Sequence, residues 1–146
     1  MESAIILHRC PRYDIQGKEQ LKTQEKFYLA DSSLRYSVLG YTQDSVAAML
    51  ENLVYLELLR RGYDVYVGKM EGAEVDFVAI KQESRLYVQV AQQIASPETE
   101  EREYGRLLAI QDNYPKYVLC ADAFTGGTIR ASKPFTSRTF CYSEEY

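Results

Sequence analysis

Three residues in the middle of this chain have types and spacing suited to metal-assisted chemistry. Glu51 falls in a helical pattern, Asp76 falls mid-strand in EVDFVAI, and Gln89 falls in the following strand, YVQVA. Aspartate is unfavourable inside a strand, so Asp76 asks for a reason. Strict alternation would set it on the opposite face from Val75 and Phe77. Carboxylates on adjoining elements can hold Mg²⁺ or Mn²⁺, ions that prefer oxygen ligands and keep several waters. Such an ion polarises a phosphodiester and lowers the pKa of its bound water. Gln89 can offer a carbonyl oxygen but no charge. The structural alternative is that Glu51 pairs with Arg60, Arg61 or a backbone donor, or faces solvent, and that Asp76 is inherited or a solvated surface residue.

The elements that must position these residues follow from hydrophobic period. Val46, Leu50, Leu53, Val54 and Leu58 recur every three or four residues and predict a helix from about Asp44 to Arg61, capped by Asp44 or Ser45 and stopped at Gly62. The period then changes to two. YDVYVG, GAEVDFVAIK and SRLYVQVA predict three strands. Pro97, followed by Glu98, Glu100 and Glu101, opens a helix that runs through Tyr104, Leu107, Leu108 and Ile110. KYVLCAD is a fourth strand, and the helical crossover before it permits parallel pairing in one mixed sheet.

Upstream, residues 5–29 read as a β-ribbon turning at DIQGKE, where Gly17 can supply a positive φ. A lone hairpin is marginal in water, so this one must lean on something else. Asp31 or Ser32 can cap a short helix through Leu34 and Val38 that ends at Gly40. On the ribbon, Arg9, Arg12, Lys22 and Lys26, with Lys69 further on, are candidate phosphate contacts. Interspersed Glu19 and Glu25 favour an ordinary mixed surface as the alternative.

Composition bounds the function. The 146 residues are 46% hydrophobic and 26% charged, the balance of one ordinary globular domain. A net charge of −4 argues against a protein that coats nucleic acid generally, and leaves a local basic face open. Cys10, Cys120 and Cys141 share no C-x-x-C spacing and His8 is the single histidine, so no zinc site is expected. Reduced cytoplasmic thiols, with Cys120 in the core, are the expectation. No apolar run is long enough to span a membrane, and the N-terminus does not read as a secretory signal.

The order helix with Glu, strand, strand with Asp, strand, helix, strand resembles the PD-(D/E)XK nuclease core, shared by archaeal Holliday-junction resolvases, from Asp44 to about Asp122. The resemblance implies Glu51, Asp76 and Gln89 as the catalytic positions and Glu51 and Asp76 as ligands of Mg²⁺ or Mn²⁺. Gln89-Val90-Ala91 stands where Glu-x-Lys belongs, so one carboxylate and the lysine are missing. Lys69 or Lys81 would have to reach in as a substitute.

Longer stretches carry a second resemblance: RYDIQGKEQLKTQEKFYLAD, LENLVYLELLRRGYDVYVGK, EVDFVAI, YVQVA and ETEEREYGRLLAIQDNYPKYVL. They are similar to a C-terminal domain-of-unknown-function family of predicted bacterial and archaeal AAA-type ATPases. That family carries a P-loop ATPase and a winged helix upstream. No G-x-x-x-x-G-K-S/T occurs here, so no ATP site of that kind is expected. Residues 1–40 are then a wing-like hairpin and short helix, 41–124 the nuclease-like core, and 125–146 an irregular tail. The chain reads as a gene fragment or truncation, and its polar tail suggests a frameshift near Gly127.

The expectation is an α/β domain with a mixed sheet flanked by helices. Its implied role is a degenerate nuclease-like nucleic-acid-binding module, with weak or absent Mg²⁺-dependent phosphodiester hydrolysis. The alternative is a catalytically inactive regulatory or protein-interaction domain. Implied partners are DNA, an ATPase domain or a second copy of the chain, and no membrane.

Overall fold

A computed structural model describes residues 7–31, 33–40, 42, 45–94, 96–121 and 129–131. Chain order is β1 (Leu7–Asp14), β2 (Glu19–Leu29), α1 (Ser33–Leu39), α2 (Ser45–Arg60), β3 (Asp64–Met70), β4 (Ala73–Lys81), β5 (Ser84–Ala91), α3 (Pro97–Leu108), β6 (Lys116–Ala121) and β7 (Ile129–Ala131). All seven strands join one sheet in the order β2-β1-β3-β4-β5-β6-β7. The β1–β3 and β5–β6 pairs are parallel and the rest antiparallel, so the expected α/β class with a mixed sheet is observed.

Side-chain alternation divides the core in two. Val54, Tyr55 and Leu58 of α2 pack with Cys10, Tyr28, Val65, Val67, Phe77 and Val88. Leu107 of α3 packs with Tyr13, Val75, Val78, Tyr87 and Val118 on the other face. The sheet is thus sandwiched between α2 and α3. What the hairpin leans on is the sheet itself: Arg12, Tyr13 and Asp14 pair with Val67, Gly68 and Lys69 of β3.

Local chemistry sets the element ends. Gly62 has φ +80°, Tyr63 N–H donates to Leu58 O (3.1 Å) and Gly62 N–H to Leu59 O (2.9 Å), a left-handed cap that satisfies the last carbonyls of α2. Ser96 caps α3 by accepting from Thr99 N–H (3.2 Å), with Pro97 just inside. Asp31 accepts from Ser33 N–H (2.8 Å) ahead of α1. Asp44 and Ser32 lie outside the described residues.

Several expectations shift. In the β1–β2 turn the positive φ (55°) belongs to Lys18, not Gly17. Gly17 is needed for closeness instead, since a Cβ there would lie 2.7 Å from Asp14 Oδ2. On α2, Leu53 is exposed, whereas Asn52 and Tyr55 are buried, because β2 covers that side of the helix. Cys120 is half-buried, and the fully buried thiol is Cys10. Within the tail expected to be irregular, Ile129–Ala131 pairs with β6 as β7; 122–128 and 132–146, where the frameshift expectation falls, lie outside the described residues. Among the described residues, no helix is long and apolar enough to cross a membrane, which says nothing of a β-barrel.

Gly68 sits where β1, β3 and β4 crowd together. A Cβ there would lie 2.9 Å from both Ile15 Cδ1 and Val78 Cγ2. Gly68→Ala is expected to destabilise the fold by about 1–3 kcal/mol. Urea unfolding should show a lower midpoint with an unchanged slope.

Candidate functional site

The strand aspartate has a structural reason. The β4–β5 ladder runs from Lys81↔Ser84 to Phe77↔Val88. Beyond that pair, each strand's backbone is met by the other's side chain. Asp76 Oδ2 accepts from Val90 N–H (2.8 Å), and Gln89 Oε1 accepts from Asp76 N–H (3.3 Å). Gln89 is 2% exposed, so a buried amide carbonyl and a buried N–H satisfy one another.

A bulge lies beside this point. Tyr66 pairs with Val78 but Gly68 with Val75, so Asp76 and Phe77 oppose the single residue Val67. Val75 and Phe77 consequently join opposite core clusters, where strict alternation had them sharing a face. Burial pushes the Asp76 carboxyl up to about 6; the Val90 N–H opposes this, the Glu51 charge adds to it, and Lys26 opposes it.

Glu51 approaches from α2. Its Oε1 accepts from Tyr28 Oη (2.5 Å) and lies 3.3 Å from Lys26 Nζ. That ammonium also lies 2.9 Å from Glu74 Oε1, and Glu74 Oε2 is 2.7 Å from Arg12. Burial works against the Lys26 charge, but the bond to Glu74 and the charges of Glu51, Glu74 and Asp76 outweigh it and raise its pKa. Burial likewise works against the Glu74 charge, and Lys26 and Arg12 outweigh it. Burial also pushes the Tyr28 hydroxyl up, and the Cys10 thiol up to about 12, so both stay protonated. From α3, Glu103 is 5% exposed; Arg102 holds its Oε1 (2.9 Å), its buried Oε2 has no hydrogen-bond partner among the described residues and lies 3.9 Å from Arg106, and its charge also reaches Asp76.

The expected trio is therefore coupled: Asp76 and Gln89 by a hydrogen bond, Glu51 and Asp76 by charge. Of the candidate phosphate contacts, Arg12 and Lys26 point into the carboxylates. Arg9 is exposed and 3.5 Å from Glu25, while Lys22 and Lys69 are exposed. Lys81 bonds to Arg61 O (2.8 Å), beside the end of α2. Glu51 pairs with Lys26; it is Glu57 that holds Arg60 and Arg61, at 2.7 Å each. Sequence reasoning missed Glu74, Tyr28 and Glu103. Two spacings carried a signal: Glu74-x-Asp76 on one strand and Lys26-x-Tyr28 on another. Among the described residues, no three His, Cys, Asp or Glu side chains are grouped to hold a metal ion.

No family model matches the chain. A protein of Haemophilus influenzae, described as an uncharacterized protein, is 44% identical over 119 residues. The match covers 82% of this chain and 29% of that relative's length.

Asp76 gives a pH test. Its folded pKa, near 6, is above the usual carboxylate value, so the neutral form favours the fold. That contribution is full below about pH 4 and is lost as pH rises through about 6. Asp76→Asn keeps an acceptor for Val90 N–H and cannot ionise. Relative to the wild type, it should gain up to about 2–3 kcal/mol between pH 4 and pH 7. Urea unfolding of both proteins across that range measures the difference.

Proposed function

We propose that this chain is a degenerate nuclease-like module that binds nucleic acid and whose Mg²⁺-dependent phosphodiester hydrolysis is weak or absent. Lys26, shared between Glu51 (3.3 Å) and Glu74 (2.9 Å), is the observation that carries this reading. As arranged, the residues fit a divalent cation poorly, because the Lys26 ammonium already sits between Glu51 and Glu74. Glu51 Oε1 is engaged by Tyr28 and Lys26, Asp76 Oδ2 by Val90 N–H, and Gln89 Oε1 by Asp76 N–H. Burial also biases Asp76 towards its neutral form, a poor ligand. The lysine of β2 supplies the positive charge that a metal would bring.

The PD-(D/E)XK core and the wing remain our reading of the element order and of the coupling among Glu51, Asp76 and Gln89. An ATPase domain as partner, and a cytoplasmic setting, belong to the same reading. The 29% share of the Haemophilus relative is compatible with a longer architecture. A second reading, a protein-interaction or self-associating domain, is favoured by exposed apolar residues on β1, β2 and α1: Leu7 at 53%, Phe27 at 61% and Val38 at 79%.

Calorimetric titration with Mn²⁺ tests the charge argument. The wild type should bind no Mn²⁺ below roughly millimolar concentration, since two anionic ligands make a weak site and Lys26 competes for one. Lys26→Gln should bind at least about tenfold more tightly, and adding Asp76→Ala should remove the gain. Tight binding by the wild type that vanishes in Asp76→Ala, with cleavage of branched or linear DNA, would restore a working nuclease.

A further inference from the structure

The two faces of the hairpin are covered unequally. Lys26 and Tyr28 of β2 point towards α2, where Tyr28 stacks on Tyr55, and His8 and Cys10 of β1 point the same way. Alternation sets Phe27 of β2, with Leu7 and Arg9 of β1, on the opposite face. On that side α3 packs over β4, β5 and β6, and its cluster takes in β1 at Tyr13, further along the strand. The registers Leu7↔Leu29 and Arg9↔Phe27 make these four side chains one block. Leu7 is 53% exposed, Phe27 61% and the Arg9 side chain 65%. Glu25 borders the block, 3.5 Å from Arg9. The backbone edge of β2 is a poorer contact than this face. Gln24 holds φ +58° within the strand, and Asn52 occupies both the N–H and the carbonyl of Leu29.

We propose that this open face is the contact between two copies of the chain, related by a two-fold axis at Phe27, with Arg9 of each copy against Glu25 of the other. A two-fold contact requires a patch complementary to itself. Here an aromatic ring and two leucines form the centre, and one cation and one anion stand side by side at the rim. Turning a second copy over the first closes ring on ring and brings opposite charges together twice. A rim of a single sign would have opposed the same approach. Arg9 is mostly in water, and a guanidinium has more donors than one carboxylate uses, so it can hold Glu25 of the second copy beside its own. Four partly exposed side chains fall short of the roughly 800 Å² per partner of a stable interface, so the dimer is weak and forms at high concentration. The proposal rests on the self-associating reading above. It adds the surface, the symmetry and the charge pairing.

Sedimentation velocity over a dilution series, from micromolar to near-millimolar protein, compares the wild type, Phe27→Glu, Arg9→Glu, Glu25→Arg and an equimolar mixture of the last two. Thermal melts of dilute protein report whether each variant is folded. The wild type should show a reversible monomer–dimer equilibrium. Phe27→Glu should stay monomeric with an unchanged melt, since the ring is already mostly in water. Arg9→Glu and Glu25→Arg should each weaken association at least about tenfold, because like charges then meet at both contacts. Their mixture should recover it, because opposite charges meet again. Dimerisation that no variant changes overturns this face and leaves self-association standing on another surface. A wild type that is monomeric throughout overturns the proposal and the self-associating reading with it. A lowered melt in Phe27→Glu, with the wild type monomeric, shows that the face is covered from within the chain and overturns the proposal. A mixture that associates no better than its two components overturns the two-fold charge pairing.

Discussion

A half-buried ammonium shared by two carboxylates is the constraint on which this end of the domain depends. Lys26 belongs to the hairpin, Glu51 to α2 and Glu74 to β4, so one group ties three elements together. Without it, Glu51, Glu74 and Asp76 would face each other as like charges in a region already poor in water. Removing one partner of such a set leaves an uncompensated charge, which costs far more than the intact pair contributes. Arg12 supports the arrangement from β1, at 2.7 Å from Glu74, so the hairpin brings two cations to the acids.

Charge balance at this end is matched by hydrogen-bond closure around it. Tyr28 is alternate to Lys26 on β2, and its hydroxyl donates to Glu51 while its ring stacks on Tyr55 of α2, centroids 4.3 Å apart. Asn52, one residue on from Glu51, satisfies both backbone groups of Leu29 on the edge strand β2. An edge strand with open backbone groups invites pairing with another chain, and α2 blunts this one with an amide. The polar residues Glu51 and Asn52 interrupt the apolar stripe of α2 because that stretch of helix faces a strand edge and an ion cluster.

Much of the fold was legible because its signals are local. Gly62, Ser96 and Pro97 mark helix ends through backbone geometry that depends on few neighbours. The strands β3 to β6 announce themselves by period. What was not legible depends on long-range pairing. Lys26 lies opposite Cys10, and β1 pairs in parallel with β3; those two registers aim Lys26 and Arg12 inward, and no spacing within β2 discloses them. The bulge opposite Val67 is hidden for the same reason, and with it the true faces of Val75 and Phe77. In the site, Asp76 stood out as a residue against its propensity. Glu74 did not, because a glutamate near a strand end reads as solvated surface until the partner strands are known.

The same charge balance limits the metal chemistry that the acids at this end of the molecule could support. Metal-assisted hydrolysis needs anionic ligands, and here the acids already have a cation, since Lys26 lies between Glu51 and Glu74. A metal bound by Glu51 would compete with Lys26 and Tyr28 for that carboxylate, and burial already opposes the charge of Asp76, whose Oδ2 holds Val90 N–H. A magnesium ion, reluctant to shed its own water, returns little for that rearrangement. Acids neutralised from within therefore make this end of the domain a poor host for a metal.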